Sequence, residues 1–386
     1  MSKQIEGIHY KFPKEKMSKS VRRYWDAFER VPNAEIYHKE FGYYCLEEWF
    51  KQGLDKDADF AKEFGYDAPA DYPLWGAGWC EAAFDPIFEE KVLSSDDKYE
   101  ICQDFAGRKV KYFKGRRAGF MPTYLDHPVK NKETWEKDVL WRLQTGTPNR
   151  IKQFEWTIPE AIKAQSEEGR MINMMVVGGY MYLRSLVGPE EIFFMLYDEP
   201  DLIHEMMEKW FEIADAASAY YQEHVTIDML AFGEDISYNN GLLISPDMIR
   251  TFLFPYYKRL YDNIKKRNID QDRHVYFYVD TDGNLDDVIP LYKEIGVDVI
   301  APMEVASGCD PVELRKQHPD IVLMGGIDKR VIAKTKEDID AFLEHVIPFM
   351  KKQGGYIPMF DHGVPDEVTL ENYRYYRKKM LEYSKL

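Results

Sequence analysis

From about residue 158 onward, short apolar runs and helical stretches alternate six times. The apolar runs are 171–179 (MINMMVVGG), 229–235 (MLAFGED), 274–280 (HVYFYVD), 297–303 (VDVIAPM), 321–326 (IVLMGG) and 356–360 (YIPMF). Runs this apolar and this short fit strands buried on both faces. Between them the pattern predicts helices over 200–222, from Ser245-Pro246 to about 266, over 285–295, after Asp310-Pro311, over 337–352 and over 369–383. Ser245, followed by proline at the first helical position, is an N-cap signal. Regular alternation with short connections demands a parallel sheet with helices outside it. The expected architecture is a single α/β unit, a (β/α)8 TIM-type barrel with an N-terminal extension over about residues 1–100. Closing it requires two further strands. The candidates are 33–41 (NAEIYHKEF) and a second run between residues 72 and 88. Residues 109–125 read as a β-hairpin around Lys114-Gly115.

Composition narrows the partners. The formal net charge is −16 and no long basic run offsets it, so neither nucleic acid nor an anionic membrane is expected. The basic triplet Arg377-Lys378-Lys379 reads as the solvated face of the last helix. No run of about 18 apolar residues exists to span a bilayer, and residues 1–16 lack an apolar leader segment. The four cysteines are scattered without a CxxC pair; a reducing cytoplasm is the expected setting. Aromatic residues reach 15%. That suits an aromatic-rich core, and also a pocket for a flat organic molecule.

Polar groups collect where the predicted strands end. Glu234-Asp235 close one run, with Tyr238 and Asn240 just beyond. Asp280 and Asp282 close the next, followed by Glu304, Asp328-Lys329 and Asp361-His362. In a barrel these positions converge on one mouth, the usual place for chemistry. Each alone is an ordinary turn residue; together they call for a cation, a metal or an acid–base task. Asp280, Asp282, Glu304 and His362 offer donors of the kind that hold zinc. Alternatively His362 acts with Asp361, Glu234 or Asp235 in proton transfer. Lys329 would neutralise a substrate carboxylate or pair with Asp328. Cys309 is a possible ligand or simply a small buried residue. Nucleotide-binding glycine loops and the GxSxG nucleophile elbow are absent.

The run YIPMFDHGVPDEVTLENYRYY, residues 356–376, resembles the C-terminal signature of the uroporphyrinogen decarboxylase superfamily. Residues 233–246, 278–290, 302–316 and 325–329 extend the resemblance, which covers roughly 100–384. It implies a (β/α)8 barrel with its site at the carboxyl mouth. It also implies one of two activities: cofactor-free decarboxylation of a porphyrinogen, or methyl transfer involving a corrinoid. The decarboxylase's Arg-rich segment has no counterpart in RVPNAEIYHKEFGYY, residues 30–44. In the methyltransferases zinc is held by a His-x-Cys pair and a later Cys; here those positions carry Asp280, Asp282 and His362. Harder ligands suit cleavage of an ether or methoxyl group rather than activation of a thiol. The expected activity is therefore demethylation of a small O- or N-methylated compound, aromatic ones included. Tyr238, Asn240 and Lys329 would bind that donor. The acceptor would be the corrinoid of a partner protein, since no DxHxxG segment is present. A decarboxylase and a non-catalytic binding barrel are the alternatives.

Overall fold

A computed structural model describes residues 12–115 and 121–385. Most of the stretch read above for a leader, and part of the expected hairpin turn, lie outside those residues. Seven parallel strands form the central sheet: β1 (Asp71–Ala77), β2 (Met171–Val177), β3 (Met229–Gly233), β4 (Tyr276–Asp280), β5 (Val299–Met303), β6 (Val322–Gly325) and β7 (Tyr356–Ile357). They lie side by side in chain order. A doubly wound sheet reverses its order at a switch point; this one never does. The chain belongs to the (β/α)8 architecture expected above.

The strands separate two apolar layers by alternation. Met171, Met229, Ala231, Tyr276, Tyr278, Val299, Ala301, Val322, Met324, Ile357 and Met359 fill the barrel. Their neighbours Ile172, Leu230, Phe232, Phe277, Val279, Ile300 and Leu323 pack outward under the helices. Helix α1 (Lys19–Phe28) closes the bottom of the barrel. Ser18 caps it by accepting from the Val21 amide at 3.2 Å. Its Val21, Tyr24, Trp25 and Phe28 join the inner cluster. The Phe28 and Tyr276 ring centroids are 5.0 Å apart, and Trp25 Nε1 donates to the Gly169 carbonyl at 2.9 Å.

Two expectations about the N-terminal part change. The first barrel strand falls at 71–77, at the start of the second window named above. The stretch 33–41 forms no strand. Its neighbourhood is still tied to both ends of the sheet. His38 O accepts from Asp67 N at 2.9 Å, just before β1, and Gly42 O accepts from Val364 N at 2.8 Å, just after β7. Side-chain and irregular bonds replace a ladder here, which explains why strand propensity was misleading. The pair Lys109–Phe113 and Thr123–Asp126 is antiparallel, as a hairpin requires. It belongs to a four-stranded sheet with Lys91–Ser95 and Tyr99–Gln103, inserted after β1. Among the described residues, no helix is long and apolar enough to cross a membrane.

Candidate functional site

The strand parity that fills the barrel also decides which polar groups face its mouth. Asp280 lies two residues beyond Tyr278, and Asp361 two beyond Met359, so both continue the inward series. They line a cavity of about 520 Å³ together with Asp235, Asp282, His362, Phe41, Trp79 and Pro302. Arg108, Met121 and Tyr124 of the inserted sheet region and Met181, Arg184 and Ser185 of the helix Gly179–Val187 supply another wall.

His362 is held between two carboxylates. Its Nε2 is 3.4 Å from Asp282 Oδ2, and its Nδ1 is 3.4 Å from Asp361 Oδ2. Asp282 first, then Asp361, raises the imidazole to about 10, so it is a cation at neutral pH. Burial pushes the Asp361 carboxyl up, but His362 and Lys329 outweigh that and keep it below the ordinary range. Lys329 Nζ is 2.9 Å from Asp361 Oδ2. Lys329 thus pairs with Asp361, and Asp328 with Arg330. Asp280 behaves oppositely. Burial pushes it up to about 7, and Asp282 and Asp235 add to the effect against the bond from Tyr278. Cavity carboxyls pushed in opposite directions are a common basis for dividing acid and base work.

Glu234 follows the outward parity of Phe232. Its buried carboxyl accepts from Tyr257 Oη at 2.6 Å and Tyr292 Oη at 3.1 Å. Burial raises it to about 7. Glu234 is among the residues lining the cavity, and its Oε1 also accepts from the Tyr180 amide at 3.4 Å at the start of the helix Gly179–Val187. A Cβ on Gly178 would overlap the Glu234 carboxylate and lie 2.6 Å from its Cα. Next to it, Asp235 has φ 47 and accepts from Arg184 Nη2 at 2.6 Å.

Other expected site residues stand apart from this cavity's lining. Tyr238 is exposed on the two-residue strand Ser237–Tyr238, and Asn240 is exposed in the turn after it. Glu304 turns to the Gly283 amide at 2.9 Å. Cys309 is buried, with Sγ 3.4 Å from Gly283 O. The expected zinc set is not gathered in this geometry. Glu304 stands apart from Asp280, Asp282 and His362, and among the described residues no three His, Cys, Asp or Glu side chains gather to hold a metal ion.

Several lining residues were not found in the sequence. Trp79 lies two residues past β1, so strand-end reasoning reaches it once that strand is located. Arg108 is held by Asp104 at 2.7 Å and Glu81 at 2.9 Å, with its guanidinium 4.9 Å from the Tyr124 ring centroid. His127 is driven down to about 4 by burial, then Lys130 and Arg108. Nothing in the local pattern of Arg108, His127 or Arg184 marks them as cavity residues.

The family model described as uroporphyrinogen decarboxylase (URO-D) matches residues 129–383. A methyltransferase from Methanosarcina mazei superposes with a TM-score of 0.57 at 13% identity, covering 94% of this chain and 98% of its own. A protein described as a vitamin-B12-independent methionine synthase from Listeria monocytogenes gives 0.37 at 12% identity, with 91% and 98% covered; that likeness is too distant to argue from. No functionally curated protein matches the chain.

Proposed function

The chain belongs to the uroporphyrinogen decarboxylase family, and from that premise we propose that it moves a methyl group from a small oxygen- or nitrogen-bound donor to the Co(I) corrinoid of a partner protein. The observation that carries this reading is the His362 cation, flanked by Asp282 and Asp361 on the wall of an aromatic-lined cavity. An alkoxide or phenoxide is a poor leaving group. The C–O electron pair must stay on oxygen, and a proton must arrive there. In this reading the His362 imidazolium gives that proton and is reprotonated from water afterwards. The corrinoid, when present, supplies the electron pair that forms the new bond to carbon. Phe41, Trp79 and Tyr124 offer flat surfaces for an aromatic donor.

The charges support a small donor over a polyanionic porphyrinogen. Arg108 is already paired with two carboxylates and Arg184 with one. A polyanionic porphyrinogen needs cations that are not already neutralised. The assay is conversion of a Co(I) corrinoid protein to its methylated form, followed by absorbance, with methoxylated aromatics and methylamines as donors. Turnover lost on His362→Ala, with donor affinity largely kept, is the expected result. Silence across that panel, with release of carbon dioxide from a porphyrinogen, would replace this reading by decarboxylation. Saturable ligand capture with neither reaction would indicate a binding protein.

A further inference from the structure

Residues 40–45 lie outside the family match at 129–383, yet they enclose the turn that carries His362. The Phe41 and His362 ring centroids are 5.4 Å apart. Tyr44 covers the other side of the turn: a Cβ on Gly363 would come within 2.9 Å of its ring. Backbone bonds fasten the two segments, with Val364 N to Gly42 O at 2.8 Å and Tyr44 N to Val364 O at 2.9 Å.

Glu40 joins these pieces. Its Oε1 accepts from the Phe360 amide at 2.8 Å and from the Phe41 amide at 3.1 Å. Its Oε2 accepts from Tyr373 Oη at 2.9 Å. Burial pushes this carboxyl up, while the Phe360 amide, Arg377, the Phe41 amide and Tyr373 pull against it. Behind Tyr373 lies Tyr66, which bonds to it and also takes a bond from Tyr43 Oη at 2.8 Å. Arg377, expected above on a solvated face, is instead buried; it sits 4.4 Å from the Tyr66 ring centroid and donates from Nε to Phe64 O at 2.9 Å. An enclosed carboxylate with a buried counter-charge is a costly way to stabilise a turn; well-packed apolar groups commonly do so at least as well. Its Oε1 serves two particular amides. One precedes Asp361; the other belongs to Phe41, whose ring lies against His362.

We propose that Glu40 is a positioning residue, which ties the Phe41 and Phe360 amides together and so holds the Phe41 ring against the His362 imidazole. The Phe41 ring lies tilted by 47° to the imidazole and limits the directions in which His362 can point. The segment around Phe41 thereby joins Trp79, Arg108 and Tyr124 as a part of the site that lies outside the matched residues. The importance of this positioning for turnover rests on the His362 role proposed above, so the closing experiment reads the imidazole directly.

The experiment uses the full chain with isotope-labelled histidine. The His362 ring resonances are assigned by their loss in His362→Gln. Phe41→Leu removes the ring current and defines the unpositioned signal. Glu40→Ala should move the His362 resonances toward that signal, Tyr373→Phe should move them part of the way, and Glu40→Gln should stay nearest the parent. In the methyl-transfer assay, Glu40→Ala should lower kcat about tenfold or more with KM within about twofold, and Glu40→Gln should recover part of it. Unchanged His362 resonances in folded Glu40→Ala or Tyr373→Phe overturn the proposal, even if melting temperature falls. Shifted resonances without any methyl transfer would leave the positioning role standing and count against the proposed reaction alone.

Discussion

Tyr278 and Asp280, neighbours on the inner face of β4, are joined by a 2.6 Å bond from the phenol to Oδ2. The bond favours the ionised carboxyl, but burial at the cavity wall wins and raises Asp280 to about 7. In the folded chain Asp280 therefore keeps its proton between about pH 4 and 7, where the unfolded chain has lost it. The folded state binds more protons in that window, so stability falls as pH rises through it. Asp280→Asn should flatten that slope, on the order of 1–3 kcal/mol relative to the parent between pH 4 and 7. Denaturant titrations at several pH values check it. Asp228 and Glu234 are also raised, so the difference between variant and parent is the informative quantity.

For His362 the sign is reversed. Its folded value of about 10 is above the ordinary 6.5. The stabilisation from its two carboxylates is fully present below about pH 6.5 and is lost as pH rises through 10. Removing the larger contributor in Asp282→Asn should bring the imidazole titration down toward 6.5, as read by histidine NMR. If the imidazolium is the acid, parent activity should stay level from pH 7 to 9 and fall above 10. Asp282→Asn activity should fall at lower pH.

Glu234 packs closely against Gly178, and disrupting that contact should cost stability. Glu234→Ala strands the Tyr257 and Tyr292 hydroxyls in a buried site and should lose roughly 1–3 kcal/mol. Glu234→Gln, which keeps an acceptor, should lose less. Gly178→Ala forces a Cβ into the Glu234 carboxylate and should cost roughly 1–3 kcal/mol or more. Urea unfolding of the three variants ranks them.

Phe28→Ala tests the closure of the barrel floor. The side chain is 1% exposed, and its loss leaves a void against Tyr276. The expected cost is roughly 3–5 kcal/mol. A loss below 1 kcal/mol by chemical denaturation would show that α1 contributes little to the barrel.

The barrel and its mouth could be read because periodicity and strand ends are local properties. Met171 to Val177 announces a buried strand by itself, and Asp280, Asp282, Asp361 and His362 follow from where strands stop. What stayed hidden depends on the third dimension. Glu234 and Asp235 both line the cavity, yet the Glu234 carboxyl is buried against Tyr257 and Tyr292 while the Asp235 carboxylate pairs with Arg184. Only the inside–outside phase of β3 separates them. The stretch 33–41 is held by Glu40 and His38 bonding to Phe360 and Asp67, contacts that no short-range pattern records. Arg108 and Arg184 arrive on an inserted sheet and a helix face whose placement depends on the finished barrel.

Helix α1, with Tyr24, Trp25 and Phe28 packed into the strand feet, makes the barrel a vessel open at one end. Whatever enters through the mouth must leave by it. A macromolecular acceptor seated there would stopper the vessel, so a small donor has to load first and its demethylated product has to wait for the acceptor to depart. Under the proposed reaction, turnover would then be an ordered sequence with one shared doorway, and crowding the mouth would slow both ends of the cycle.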